Sequence, residues 1–197
     1  MTTITKADKD EQFESGAVRG QAVGKGMPHL MPFFVLNEAM GYLADKPHAA
    51  LLELSKVYEG GVRAGYEPRN WEKGMPASRF VDSAWRHYAM FHIGYVDEPH
   101  YDQFIWNLCG LAHIVNGVER GVYDDSLMDL QFHGVEFGAD DVYTLDAFHV
   151  NGSHNPLDIF LHYLIQGNME TLYVAIAAAL YRREKELQAE GRVYLSK

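Results

Sequence analysis

Three consecutive segments with helical periodicity constrain the fold more than any other feature of the sequence. Their apolar residues recur every three or four positions, which is the spacing of one face of an α-helix. The segments span residues 47–59, 78–93 and 100–115. Three amphipathic helices in close succession bury their apolar faces against one another. The sequence therefore predicts an all-α helical bundle.

The ends of these helices are marked by proline and glycine. Pro47 suits the first turn of its helix, and Gly60-Gly61 predicts that this helix stops near residue 59. Pro99 suits the first position of the third helix. The helix at 78–93 is apolar on nearly every side, so we expect it to be central. Shorter patterns predict further helices at 33–44, 156–166 and 169–188.

Composition excludes several classes of protein. The formal net charge of −10 argues against nucleic-acid binding, because the phosphates of the backbone would be repelled. No apolar run reaches 18 residues and the start of the chain is polar, so we expect neither a membrane span nor a signal peptide. A single cysteine, Cys109, excludes an intrachain disulfide and fits a reducing cytoplasm. The ten histidines form no HExxH motif.

Polar side chains that suggest chemistry lie along the three helices. Asp82 and Arg86 are one helical turn apart, with His87 beside them. The same spacing describes an ordinary surface ion pair. Glu53 lies at the edge of an apolar stripe, where a flanking surface carboxylate is an equal alternative. Asp97 or Glu98 precedes the third helix, where a carboxylate caps as readily as it binds a metal ion. His100, Gln103 and Asn107 form a polar seam.

Two loops add candidates. Lys25 lies between two glycines and could reach a phosphate, although such a lysine is more often solvated. The loop that contains Asn70 and Trp71 joins the first two helices, and its tryptophan could either bind a ligand or cap the core. Beyond Glu119 several aspartates lie among aromatic residues and glycines, a pattern typical of a solvated acidic surface.

Several motifs occur together in the order of a known family. They are Gly24-Lys25, Leu51-Leu52-Glu53-Leu54-Ser55-Lys56-Val57-Tyr58-Glu59-Gly60-Gly61, Tyr66, Asn70-Trp71-Glu72-Lys73-Gly74 and Asp82-Ser83-Ala84-Trp85-Arg86-His87. The chain from about residue 24 to 115 resembles the N-terminal domain of phage-type dATP/dGTP diphosphohydrolases. These are MazG-like all-α nucleotide pyrophosphohydrolases, and they include the MazZ enzymes.

The resemblance implies hydrolysis of a deoxynucleoside triphosphate to monophosphate and pyrophosphate, with Mg²⁺ or Mn²⁺ as cofactor. It implies Glu53, Asp82 and Asp97 as metal ligands, and Glu53, Asp82 and His87 as catalytic groups. The substrate-binding residues it implies are Lys25, Asn70, Trp71, Arg86, His100 and Asn107. It also implies a homo-oligomer that shapes a phage nucleotide pool in the cytoplasm of an infected bacterial host.

The predicted organisation has three parts: a polar N-terminal arm at 1–20, a MazG-like domain at 21–119, and a C-terminal helical extension at 120–197. We expect the extension, an irregular acidic segment followed by helices, to pack on the same domain. Lys56 stands where the MazG pattern has a second glutamate. This departure favours one alternative, a nucleotide-binding accessory protein that has lost turnover. The other alternative is a purely structural helical protein.

Overall fold

The computed structural model describes residues 10–132 and 155–191. In these residues the chain forms a helical bundle and one short antiparallel hairpin. The hairpin pairs β1 with β2 inside the predicted polar arm. The elements are β1 (Asp10–Gln12), β2 (Val18–Gly20), α1 (Phe33–Met40), α2 (His48–Arg63), α3 (Ala77–His92), α4 (His100–Glu119), α5 (Pro156–Gln166) and α6 (Met169–Ala189). The all-α prediction is confirmed.

The central helix is α4, and the expectation that α3 is central was wrong. α4 packs against α1, α2, α3 and α6, and most of its side chains are buried. α3 instead has an exposed face that carries Asp82, Trp85 and Arg86. Gly110 lets α3 approach α4 closely, because a Cβ at this position would lie 2.2 Å from a ring carbon of Phe80. The two helices are therefore in close contact where the start of α3 passes the middle of α4.

Proline and asparagine set the helix starts. Proline immediately precedes α2, α3 and α4, where its fixed φ and missing N–H suit entry into a helix. The side chains of Asn155 and Asn168 cap α5 and α6 by accepting hydrogen bonds from the backbone N–H groups of Leu157 and Glu170. Gly167 ends α5 in the left-handed conformation at φ +73°, which confirms the predicted break between the last two helices.

Gly60-Gly61 does not end α2, contrary to the sequence expectation. The helix continues through both glycines to Arg63. Glycine lowers helix stability by only about 1 kcal/mol per residue, which the burial of neighbouring side chains offsets. Tyr58 and Glu59, directly before the glycines, are both buried. The additional residues of α2, Gly60, Gly61 and Val62, line the cavity described below.

The last two helices share the hydrophobic core of the first four. Leu172, Ile176 and Leu180 of α6 and Phe160 of α5 belong to the same buried cluster as the residues of α4. An ion pair adds to this contact, since Arg183 of α6 forms two hydrogen bonds of 2.8 and 2.9 Å with Asp102 of α4. The described part of the 120–197 extension thus completes the bundle. Among the residues that the structure describes, no helix has the length and apolar character needed to cross a membrane.

Candidate active site

A cavity of about 750 Å³ lies between α2, α3, the start of α4 and the Asn70–Lys73 turn. Its volume is within the range of small-molecule sites, about 300–1,000 Å³. Five aromatic residues line it: Tyr58, Tyr66, Trp71, Phe80 and Trp106. The lining also contains the cations Lys56, Arg69 and Arg79, the neutral polar residues Asn70, Ser83, Gln103 and Asn107, and the carboxylates Glu67 and Glu98. Such a lining can bind a ligand that has both an aromatic ring and negative charge.

The Asn70–Lys73 turn forms one wall of this cavity. It is a 3₁₀ turn that begins after Arg69 in the left-handed conformation, at φ +61°. Trp71 is buried, and its ring lies edge-on to Tyr58 and His113 at centroid distances of 5.9 and 4.7 Å. The Nε1–H of Trp71 has no hydrogen-bond acceptor. A buried donor without a partner is unfavourable and uncommon in folded proteins.

A side chain from beyond α4 fixes the turn in place. The hydroxyl of Tyr123 donates a hydrogen bond of 2.7 Å to the carbonyl of Glu72. The same hydroxyl lies 2.8 Å from Nε2 of His113. Because the hydroxyl donates its only hydrogen to Glu72, the Nε2–H of His113 is the donor in this second hydrogen bond. Burial lowers the pKa of His113, consistent with a neutral ring. Tyr123, which follows α4, thus positions Trp71 by holding the backbone of the adjacent Glu72.

A cluster of two histidines and a glutamate lies at the junction of α3 and α4. Nδ1 of His87 and Nδ1 of His100 are 3.0 Å apart, and each is 3.7 Å from Oε1 of Glu98. Both histidines are buried, whereas Glu98 is 43% exposed. On the far side of the ring, Nε2 of His100 lies 2.9 Å from Oδ1 of Asp97. In the described residues, His87, Glu98 and His100 form the group of His, Cys, Asp or Glu side chains that could jointly hold a metal ion.

The surroundings set the protonation of this cluster. Burial lowers the pKa of His87, although the nearby Glu98 opposes this shift. The hydrogen bond from His100 holds the pKa of Asp97 below its ordinary value. Nε2 of His100 faces Asp97, and its Nδ1 faces His87 and Glu98.

Three predicted substrate residues meet at the cavity, since Asn70, Trp71 and Asn107 all line it. Two other predicted residues, His87 and His100, meet in the neighbouring cluster. These two sites share Glu98, which lines the cavity and contacts both histidines. Of the remaining predicted residues, Asp97 contacts His100 at the outer side of the cluster, and Lys25, Glu53, Asp82 and Arg86 lie outside both the cavity lining and the cluster.

The three predicted carboxylate ligands do not converge. Oε1 of Glu53 accepts a hydrogen bond of 2.7 Å from Lys56. Asp82 is two-thirds exposed on α3, 3.8 Å from Arg79. Asp97 contacts the outer nitrogen of His100. Within residues 10–132 and 155–191, these carboxylates do not form a group whose ligand atoms lie within 4.8 Å of one another.

The two predicted phosphate-binding cations are both exposed. Arg86 donates a hydrogen bond of 2.8 Å to Ser83, which lines the cavity. Lys25 lies in a loop whose neighbouring N–H groups, those of Gly24 and Gly26, donate to Glu59 at 2.6 and 2.8 Å. The apolar stripe of α2, which includes Leu54, Val57 and Tyr58, predicts that Glu59 points away from the core, and this prediction is wrong. Glu59 is buried and anchors the loop.

Glu98, Arg69 and Arg79 were not selected as site residues from the sequence. For Glu98 the signal was present, because it stands beside Pro99 at the start of a helix, but Asp97 fitted that pattern equally well. The two arginines carry no local signal, since only the tertiary structure brings Arg69, before the Asn70–Lys73 turn, and Arg79, on α3, to one cavity.

The bundle, the cavity and the adjoining histidine–carboxylate cluster define an all-α protein with a candidate small-molecule site. The chain matches the family described as dATP/dGTP diphosphohydrolase, N-terminal, over residues 15–121, more than half its length. It belongs to that family, and the suspected relationship is confirmed. No curated protein and no solved structure matches the chain.

Proposed function

We propose that this chain is a metal-dependent hydrolase that converts deoxynucleoside triphosphates to monophosphates and pyrophosphate. The cavity would hold the nucleotide, with dATP or dGTP as the substrates that the family description suggests. The observation that supports this most directly is the position of Glu98, which belongs both to the aromatic and basic cavity and to the histidine cluster. A nucleotide in the cavity would thereby lie next to the candidate metal ligands.

The aromatic wall is suited to a base. Tyr66 is exposed at the cavity, and Trp71 offers an unpaired N–H. Stacking on such rings contributes about 1–3 kcal/mol per base. The Nδ2 group of Asn107 donates to the carbonyl of Gln103, which fixes the orientation of its amide. Asn70 and Asn107 are the proposed polar contacts for base and sugar.

The cations around the cavity are suited to the phosphates. Lys56, Arg69 and Arg79 line it, each beside a carboxylate, and these cations would contact the triphosphate on a chain whose net charge is −10. Arg86 contacts the rim through Ser83, and it remains a proposed phosphate contact together with Lys25. A guanidinium group can donate two parallel hydrogen bonds to phosphate oxygens, which would fix the orientation of the triphosphate.

In the reaction, the oxygen of water would bond to the α-phosphorus while the bond from this phosphorus to the bridging oxygen breaks. Glu53 is the proposed acceptor of the water proton, because it pairs with the cavity residue Lys56. A divalent ion would offset phosphate charge and lower the pKa of water. The donor set His87, Glu98 and His100 fits such an ion. The carboxylate set Glu53, Asp82 and Asp97 remains a prediction.

A second proposal concerns assembly. We propose a homo-oligomer, because Ile93, Tyr95 and Val96 expose large apolar side chains in the loop between α3 and α4. Exposed apolar residues that follow one another in this way are common where subunits meet. The loop also carries Asp97 and Glu98, so a partner subunit would approach the candidate site.

The test of the reaction is incubation of the full chain with each deoxynucleoside triphosphate and Mg²⁺ or Mn²⁺. Nucleoside monophosphate and pyrophosphate are then resolved by chromatography. We expect Glu53→Ala and Asp82→Ala to abolish turnover, and Tyr66→Ala to raise KM about tenfold through the lost stacking contact. Asp45→Ala, at an exposed carboxylate outside the cavity lining, is the control.

Each result has a defined meaning. Pyrophosphate release that Glu53→Ala and Asp82→Ala lose supports hydrolysis and both carboxylates. Release that survives in Asp82→Ala contradicts the role of Asp82, whose side chain is largely exposed. Saturable binding of dGTP without any pyrophosphate favours the alternative, a nucleotide-binding protein without turnover. Absence of both turnover and binding contradicts the proposal.

A further inference from the structure

We propose that His87, Glu98 and His100 form a metal centre that selects a d-block divalent ion of the zinc, cobalt or nickel class over Mg²⁺. This inference deepens the proposed function, since it names the cofactor class of the same site. Its test measures metal binding without any nucleotide, so it can succeed or fail independently of the hydrolase proposal.

The spacing of the three ligand atoms is close to what such an ion requires. Tetrahedral coordination with metal–nitrogen bonds of about 2.0–2.1 Å places two ligand nitrogens about 3.3 Å apart. The observed separations are 3.0 Å between the two Nδ1 atoms and 3.7 Å from each to Oε1 of Glu98. These distances bracket the ideal value. Shifts of a few tenths of an ångström would complete the geometry.

The ligand types determine which ion is preferred. Two imidazole nitrogens and one carboxylate suit zinc, cobalt, nickel or iron, whereas Mg²⁺ favours a site made entirely of oxygen. Mg²⁺ also gives up its water reluctantly, and both histidines are buried. The cluster therefore favours a d-block ion over Mg²⁺ because two of its three ligand atoms are nitrogen.

Asp97 supplies the outer support that metal-binding histidines commonly have. It lies 2.9 Å from Nε2 of His100, on the side of the ring opposite the Nδ1 atom that faces the cluster. Asp97 was predicted to bind the metal directly, and the geometry instead makes it a positioning residue for His100.

The cluster has one open side. His87 and His100 are only 8% and 1% exposed, whereas Glu98 is 43% exposed and also lines the cavity. Three protein ligands leave a fourth position, which is the arrangement of catalytic rather than structural metal sites. Glu98 is the exposed member of the cluster and also lines the cavity, so a ligand in the cavity would lie beside the metal ligands.

The competing explanation is a plain hydrogen bond between two buried histidines. One proton between the two Nδ1 atoms would satisfy both rings. The two explanations differ in what they predict for added metal, because the hydrogen-bonded pair alone gives no reason for saturable binding of a transition ion at one site.

The experiment uses the full chain after treatment with a chelator. Isothermal titration calorimetry with Co²⁺, Zn²⁺ and Mg²⁺ measures affinity, and the visible spectrum of the Co²⁺ form reports nitrogen coordination and coordination number. We expect one site that binds Co²⁺ or Zn²⁺ at least 100-fold more tightly than Mg²⁺. His87→Asn and His100→Asn should each lose this binding, and Asp97→Asn should weaken it by about 10–100-fold.

His92→Asn is the matched control, since His92 is exposed on the same helix as His87. It should bind Co²⁺ as the parent chain does. Circular dichroism checks the fold of every variant. Asp97→Asn keeps the test decisive if a buried histidine variant unfolds, because Asp97 is exposed. Equal affinity for Mg²⁺ and Co²⁺, no saturable binding, or binding that is unchanged in Asp97→Asn and the folded histidine variants would overturn the proposal.

Discussion

Glu59 shows how one buried carboxylate organises a loop. Its two oxygens accept the N–H groups of Gly24 and Gly26, and the side chain of the residue is buried. Gly26 permits this approach, because a Cβ there would lie 1.9 Å from Oγ of Ser55 and its φ is +84°. The loop that carries Lys25 is therefore fixed to α2 by backbone hydrogen bonds.

We predict that Glu59→Gln lowers the free energy of unfolding by about 2 kcal/mol at pH 7, because hydrogen bonds to a charged acceptor become weaker or unmade. The hydrogen bonds from Gly24 and Gly26 hold the pKa of Glu59 below its ordinary value of 4.5. Their stabilisation is thus fully present above pH 4.5 and is lost as the pH falls through the folded-state pKa. Urea denaturation from pH 7 to pH 3 measures this dependence.

The difference in stability between the parent chain and Glu59→Gln should narrow below pH 4.5. Glu14→Gln, at an exposed position before β2, should leave stability within about 0.5 kcal/mol at every pH. A difference that stays constant across this pH range would show that the charge of Glu59 is not what holds the loop.

At the scale of elements, the contact of α4 with α6 contains a buried ion pair. Asp102 is 2% exposed and Arg183 is 13% exposed, and the guanidinium binds both carboxylate oxygens. Glu186 lies 3.7 Å from Arg183, so a second carboxylate shares the cation. This ion pair thereby joins α4, which carries His100 of the histidine–carboxylate cluster, to the C-terminal helix α6.

We predict that Arg183→Met destabilises the protein by about 3–5 kcal/mol, because it leaves the carboxylate of Asp102 buried without its partner. Combining it with Asp102→Leu should recover most of this loss, since no unpaired charge then remains. Thermal and urea unfolding of the single and double variants measure the effect. Lys185→Met, at an exposed position on the same helix, is the control and should change stability by less than about 0.5 kcal/mol. A double variant no more stable than Arg183→Met would contradict this account.

At the scale of the whole molecule, the open question is how many chains assemble. The loop between α3 and α4 exposes Val96 at 92% and Ile93 at 71%, beside the carboxylates of the candidate metal centre. Burial of such side chains between subunits would contribute about 25 cal/mol per Å² of apolar surface. Assembly through this loop would then depend on the apolar residues rather than on charge.

We predict a mass in solution of at least two chains by light scattering, and a shift towards the monomer in the variant Val96→Asp. The substitution places a charge where an interface would exclude water. Val122→Asp, at another exposed valine, serves as the control and should leave the mass unchanged. A monomeric mass for the parent chain over a wide concentration range would refute the oligomer.

Much of the secondary structure could be predicted from local signals. The apolar periodicity located α3 and α4, and Gly167-Asn168 marked the break between α5 and α6. The prediction failed at Gly60-Gly61, because the local preference of glycine is weaker than the tertiary packing that continues the helix. Other expectations, on the acidic residues Asp140, Asp141 and Asp146, fall in residues 133–154, outside the described part of the chain.

The sequence by itself determined the all-α class, the family and three residues of the cavity, because motif order and helical period are properties of neighbouring residues. Only the tertiary structure decided that α4 is central, that Glu59 points inward and that Glu98 joins the cavity to two histidines. A sequence gives the phase of a side chain around its own helix. Which side chains of different helices meet depends on how closely the helices approach, and Gly110 sets that approach for α3 and α4.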